Sequence, residues 1–313
     1  MGQNIKAPKW LKAFLHSFSQ VVFLENIISG ALILAGIAVF SYEIGNWDPT
    51  ILAIIGAIVG NITAKVLGND ENAITSGLFG FNPVLVGIAA TTFFSGPDAY
   101  IITILGSILV IPLTTVINNL CGRLGLPGFT MPFIAITWFF ILVSFQTNLL
   151  NAGGGRAGAL ATTKVLENGQ VLWKEALTKG LGEIYLLDTV YGSLLIFLAF
   201  AIDRWHVAIK IALTIAATII MGMIFKVDIN VLNLGLYTYN AILVYMGLET
   251  FSTNNKNKDY VKFGALVVLG VVSSCLTDYA APTVLAVFGL PSLTFPFVLV
   301  TWATLYFEKH LNA

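Results

Sequence analysis

Charge is what this chain has least of. Charged side chains make up 10% of its 313 residues, where an ordinary soluble domain carries about 25%. The sixteen basic and sixteen acidic residues cancel, which removes the basic surface that a nucleic-acid partner would need. Cysteine is nearly missing too: Cys121 and Cys275 stand far apart, in no zinc or redox spacing and with no support for a structural disulfide. The three histidines, His16, His206 and His310, lie near the edges of apolar stretches. No metal spacing, nucleophile triad or glycine-rich phosphate loop stands out, so no enzyme, cofactor or metal site is expected. The opening MGQNIKAPKWLKAF is polar and basic, and no small-residue cleavage site follows a short apolar core, so a removable signal peptide is not expected either.

What the chain does contain is hydrocarbon. Hydrophobic residues make up 57% of it, and they fall in long runs: Ile27 to Phe40, Ile51 to Val66, Ile101 to Ile117, Ile134 to Phe145, Leu194 to Ala201, Ile209 to Phe225, Phe263 to Leu276 and Phe295 to Phe307. A helix needs about 20 residues to cross a hydrocarbon layer roughly 30 Å thick. Some runs reach that length only with their flanks, and the segments together suggest about ten spans. The runs continue through both parities, without the inward polar alternation of an outer-membrane strand, so helices are favoured over a barrel.

The chain is also written twice. SQVVFLENIISG from Ser19 answers GEIYLLDTVYGS from Gly182, and GLFGFNPVLV from Gly77 answers GLYTYNAILV from Gly235. GLPGFTMPF from Gly125 then answers GLPSLTFPF from Gly289, extended by Thr137-Trp138 and Thr301-Trp302. Nearly constant offsets imply one duplicated unit, with a first half at 1–150, a connector at 151–174 and a second half at 175–313. Five apolar segments per half would place the second half upside down relative to the first. Basic residues agree with cytoplasmic termini. Lys6, Lys9, Lys12, Lys65, Arg123, Arg204, Lys210, Lys256, Lys258, Lys262 and Lys309 would lie inside, against Arg156, Lys164, Lys174, Lys179 and Lys226 outside. Glycines and prolines interrupt the third and fifth segments of each half. These interruptions are either re-entrant breaks facing a protein-lined cavity or the loop ends of full spans; their duplication favours the breaks.

Polar residues that hydrocarbon should not contain recur at equivalent positions. Gln20 pairs with Glu183, and Glu25 with Asp188. A carboxylate at membrane depth faces a pathway or a partner, or else sits at the interface near a helix start. The first pair suits a pathway and the second a structural or vestibular place; Glu249 reads as the end of a span. Thr130 and Thr294 each precede a proline by two residues, where a hydroxyl can cap the next helix, satisfy a loose carbonyl, or point into a pore. Asn82 and Asn240 are expected to tie down broken backbone. Phe23, Phe81, Leu85, Ile184, Leu187, Tyr239 and Leu243 lie in or beside the repeated motifs, as pathway walls or as ordinary packing.

This constellation resembles the urea transporter family over essentially the whole chain: LPGFTMPF and LPSLTFPF, each followed by Thr-Trp, FNPVLV and YNAILV, and the Gln20/Glu183 pair. The resemblance implies an all-α integral membrane protein. In it, two inverted repeats of about five transmembrane helices, with re-entrant or broken half-helices, surround a central pore. It implies passive passage of urea and close amides, three protomers with one pore each, and a bacterial cytoplasmic (inner) membrane with both termini cytoplasmic. Carried onto this chain, Gln20, Glu183, Thr130 and Thr294 would be the polar centres and Phe23 and Phe81 the aromatic walls. Leu85, Ile184, Tyr239 and Leu243 follow more loosely. Tyr239 stands where Phe81 stands and Ala241 matches Pro83, so the halves need not line the pore identically. The competing readings are an ion-coupled transporter using Glu183, or a channel for another small solute such as ammonia, formate or water.

Overall fold

The computed structural model describes residues 6–147, 150 and 170–311. Most of the connector expected at 151–174, including Arg156 and Lys164, lies outside the described residues. The described chain is α-helical throughout. The first half runs α1 (Lys9–Ser19), a 3-10 turn (Gln20–Val22), α2 (Ile27–Glu43), α3 (Asp48–Val66), α4 (Glu71–Thr75), α5 (Phe81–Phe93), α6 (Pro97–Gly122) and α7 (Met131–Gln146). The second runs α8 (Trp173–Glu183), α9 (Val190–Ile224), α10 (Ile229–Asn233), α11 (Tyr239–Phe251), α12 (Thr253–Lys256), α13 (Tyr260–Ala286) and α14 (Phe295–Leu311).

Among the described residues α3, α6, α9 and α13 are each long and apolar enough to cross a membrane. The 14-residue stretch Lys9–Val22 and α2 qualify together as a fifth span, bent by 75°. Other apolar helices are shorter. α5 and α11 have 13 residues each and α7 has 16, and 13 residues at 1.5 Å rise cover only about 20 Å. They begin where the repeated Gly and Pro motifs break the chain. The expected segments Leu194–Ala201 and Ile209–Phe225 fall in two helices that meet at the non-helical Arg204 (φ −148°, ψ 92°), and the label α9 covers both.

Local chemistry repeats with the sequence. Asn26 caps α2 by accepting from Ile28 and Ser29 N–H, and its counterpart Thr189 caps α9 by accepting from Gly192 N–H. Asp70 and Asp228 cap the short helices α4 and α10 in the same way. Each cap satisfies N–H groups that a helix start leaves without partners. The sharp bends also match: Phe23 and Leu186 have φ of 60° and 57°, and Phe129 and Leu293 have 49° and 47°. Left-handed backbone is costly for side chains of this size, so a bend kept at both copies marks an imposed geometry.

Packing combines close helix approach with a core that buries large side chains such as Phe18, Phe133, Tyr185 and Phe200. α2 packs on α9 and α3 on α5. A Cβ at Gly36 would come within 2.8 Å of Gly192 O, and one at Gly56 within 2.3 Å of Pro83 O. Small residues that let backbones touch are the usual means of association between helices in lipid. Outward faces are apolar instead of polar, with Ile58 and Ile62 on α3, Ile104 and Ile108 on α6, and Leu213 and Ile220 on α9 exposed. A soluble protein rarely leaves contiguous surfaces of this kind in water. This is an all-α, multi-pass membrane protein.

Candidate functional site

The two broken segments before α7 and α14 meet. Thr130 Oγ1 and Thr294 Oγ1 lie 2.7 Å apart in a hydrogen bond, and both residues are buried. Two further bonds cross between the same segments reciprocally: Trp138 Nε1 donates to Pro291 O at 2.8 Å, and Trp302 Nε1 donates to Pro127 O at 2.7 Å. Each tryptophan thereby satisfies a carbonyl in the other half's break. Pro132 occupies the first turn of α7, where its missing N–H costs little. The expected capping role fails at Thr130. It holds the N-cap position of α7 without any side-chain cap bond, because its hydroxyl is committed to Thr294.

Aromatic rings gather beside this contact. Phe23 lies 5.8 Å from Phe129, 5.8 Å from Phe251 and 6.1 Å from Phe297 between ring centroids, and Phe129 lies 5.0 Å from Phe297. Most meet edge to face, the arrangement that ring quadrupoles favour. The left-handed bends at Phe23 and Phe129 allow these rings to meet between halves. Phe129, Phe251 and Phe297 were not singled out from sequence, although two of them belong to the duplicated nine-residue motif.

The remaining candidates divide into two sets. Tyr239 donates its hydroxyl to Leu293 O, next to Thr294, so it joins the threonine contact. Phe81 opens α5 and is half-buried, and the 3-10 turn that begins at Gln20 packs on α5. α8, which ends at Glu183, packs correspondingly on α11. Gln20 is half-buried; Glu183 is 4% exposed, and among the described residues its carboxylate takes no hydrogen bond. Lys179 and Asp188, on either side of Glu183 in the sequence, form an ion pair with each other. Leu85, Ile184 and Leu243 are wholly buried in the main core, as is Leu187, and no recorded contact sets them apart from packing residues.

Three secondary expectations separate here. Glu25 accepts from Ser76 Oγ at 2.8 Å, and Asp188 pairs with Lys179, which suits structural work. Glu249 is more than the end of a span. Its carboxylate is buried, accepts from Tyr245 OH at 3.0 Å and lies 3.6 Å from Lys210 Nζ, linking α11 to α9. Asn240 does tie down broken backbone: its Oδ1 accepts Phe297 N–H at 3.3 Å and its Nδ2 donates to Leu293 O at 3.4 Å. Asn82 does not. It is buried, yet neither amide atom has a partner among the described residues.

A hydroxyl pair and an aromatic cluster between two mutually braced breaks do not by themselves name a solute. A family model described as Urea transporter matches residues 11–309. The chain belongs to the urea transporter family. Urea transporter 1 of Ovis aries is 27% identical over 96% of this chain and 76% of its own length. Urea transporter 1 of Rattus norvegicus is 24% identical over 92% of this chain and 74% of its own length. Membership places the protein among transporters and not among enzymes, and the match runs through every element from α1 to α14.

Proposed function

We propose that the protein is a passive, channel-like pathway for urea, with its narrowest polar point at Thr130 and Thr294. The observation that carries this reading is the hydroxyl pair at the meeting of two broken segments, beside Phe23, Phe129 and Phe297, in a chain of the urea transporter family. Urea is flat, uncharged and rich in hydrogen-bonding groups. A slot between apolar faces fits its thickness and excludes hydrated ions, while hydroxyls and backbone carbonyls along one edge replace the water it sheds. Several weak sites permit exit as well as entry.

In this reading Gln20 and Glu183 stand at the two approaches, Phe23 and Phe81 form the aromatic walls, and Leu85, Ile184, Tyr239 and Leu243 complete the lining. The halves are inverted relative to each other, both termini are cytoplasmic, and three protomers each carry one pore. The reciprocal Trp138 and Trp302 bonds support equivalence of the halves, and the basic-residue distribution supports the orientation.

Purified protein in liposomes tests the function directly. Urea entry should accelerate by orders of magnitude without Na⁺, K⁺ or Cl⁻ conduction, and urea should equalise without accumulating under an imposed proton or sodium gradient. Accumulation against the urea gradient would assign Glu183 to ion coupling instead. Flux equal to that of empty vesicles rejects both readings.

A further inference from the structure

We infer that Asp278, on α13, is a positioning residue that holds the second broken segment, and therefore Thr294, in register with Thr130. The inference rests on the pathway reading above. Asp278 lies in a helix long and apolar enough to span a membrane, where an ionisable side chain is costly to keep. Among the described residues no cation pairs with it. Its two oxygens take two neutral donors instead: Oδ1 accepts from Asn240 Nδ2 at 2.7 Å, and Oδ2 accepts from Ser274 Oγ at 3.2 Å.

The first bond decides which way the Asn240 amide faces. The NH₂ of Asn240 points at Asp278 Oδ1, and its oxygen points away. That oxygen then meets Phe297 N–H, while the NH₂ also reaches Leu293 O. Both backbone groups flank Thr294. Phe297 N–H belongs to the first turn of α14, where the helix supplies no acceptor, and Leu293 holds a left-handed bend with φ 47°. Asn240 thus satisfies the open backbone on both sides of the threonine, and Asp278 fixes the orientation in which it can do so.

The first half lacks this clamp. With the offset of 164 that relates Thr130 to Thr294, Thr114 corresponds to Asp278. Its hydroxyl donates to Val110 O in its own helix, and among the described residues Asn82 has no partner. The two sides of the threonine contact are consequently held by different means.

The test compares Asp278→Ala, Asp278→Asn and Thr114→Ala in liposomes, with thermal midpoint and assembly checked in detergent. Asp278→Ala should reduce urea flux by about five- to a hundred-fold, the range for losing one buried hydrogen bond at the limiting step, and should change the urea-to-thiourea flux ratio. Asp278→Asn keeps an acceptor for Asn240 and should return most of the flux; Thr114→Ala should leave flux and ratio at the wild-type level. Hydrogen exchange over residues 293–297 supplies the second readout. Phe297 N–H should exchange faster in Asp278→Ala, with no change around Phe133. Unchanged exchange at Phe297, or wild-type flux and ratio in folded Asp278→Ala, overturns the proposal. Absence of urea flux in the wild type would reject the pathway reading, and the exchange measurement would still decide whether Asp278 holds the segment.

Discussion

Removing the hydroxyls at the threonine contact separates its structural role from its transport role. Thr130→Val and Thr294→Val both preserve the β-branched shape and delete one partner of the 2.7 Å bond. Either single variant strands the remaining hydroxyl in a buried site. An unmet buried group costs about 1–3 kcal/mol, while hydrogen bonds between membrane helices average about 0.6 kcal/mol with a maximum near 1.7. A loss of roughly 1 kcal/mol per single variant follows. The double variant removes both partners together and should be closer to neutral than the sum of the singles. Flux should behave oppositely. In the proposed pathway each hydroxyl replaces a water that urea sheds, and about 1.4 kcal/mol corresponds to tenfold in rate, so on that proposal each single should slow urea several-fold or more and the double should slow it further. Stopped-flow light scattering of proteoliposomes gives the flux, and thermal melting in detergent gives the stability. A double variant with restored stability and wild-type urea flux would refute the pore role and leave the threonines as a brace between the halves.

Other perturbations address separate parts of the structure. Phe23→Ala and Phe81→Ala should retain urea flux while losing discrimination against larger or more hydrated solutes, measured as urea-to-thiourea and urea-to-glycerol flux ratios. Glu183→Gln places an amide where the other half already has Gln20, so passive urea flux should stay within about tenfold of wild type; collapse of a gradient-driven uptake would instead reveal coupling. A cysteine at Gly154, in a background without Cys121 and Cys275, should react with an impermeant thiol reagent from outside intact cells. Labelling only after lysis contradicts the proposed orientation. Gly56→Val drives a side chain against Pro83 O, where a Cβ would already lie at 2.3 Å, and should cost about 1–3 kcal/mol or more of stability by overpacking; a thermal midpoint equal to wild type would remove the α3–α5 contact from the packing argument.

Several features of the fold were legible because they depend on local chemistry. Long apolar runs produced α3, α6, α9 and α13, and the duplicated Gly and Pro motifs marked the breaks before α5, α7, α11 and α14. Hydropathy alone does not separate full crossings from shorter helices, because it measures the solvent of a segment rather than its length between breaks. The 13 residues of α5 and α11 are as apolar as a span and too short to be one. Sequence showed two apolar segments beside Asp203 and Arg204, and the chain folds them as two helices on either side of the break at Arg204.

At the site, duplication identified residues more readily than roles. Thr130 and Thr294 could be paired by motif, but their mutual bond depends on two distant segments being brought together by the Trp138 and Trp302 crossings. Asn82 and Asn240 show the limit of inference from repetition. Their local sequences are alike, yet one amide is held on both sides and the other has no partner among the described residues. The difference arises far along the chain, where one helix carries Asp278 and its counterpart carries Thr114. A short threonine hydroxyl turns back to its own helix backbone, while a carboxylate offers two acceptors that reach a neighbouring element. One side-chain difference outside the repeated motifs therefore changes what an identical asparagine can do, and repeated sequence is a guide to equivalent position before it is a guide to equivalent chemistry.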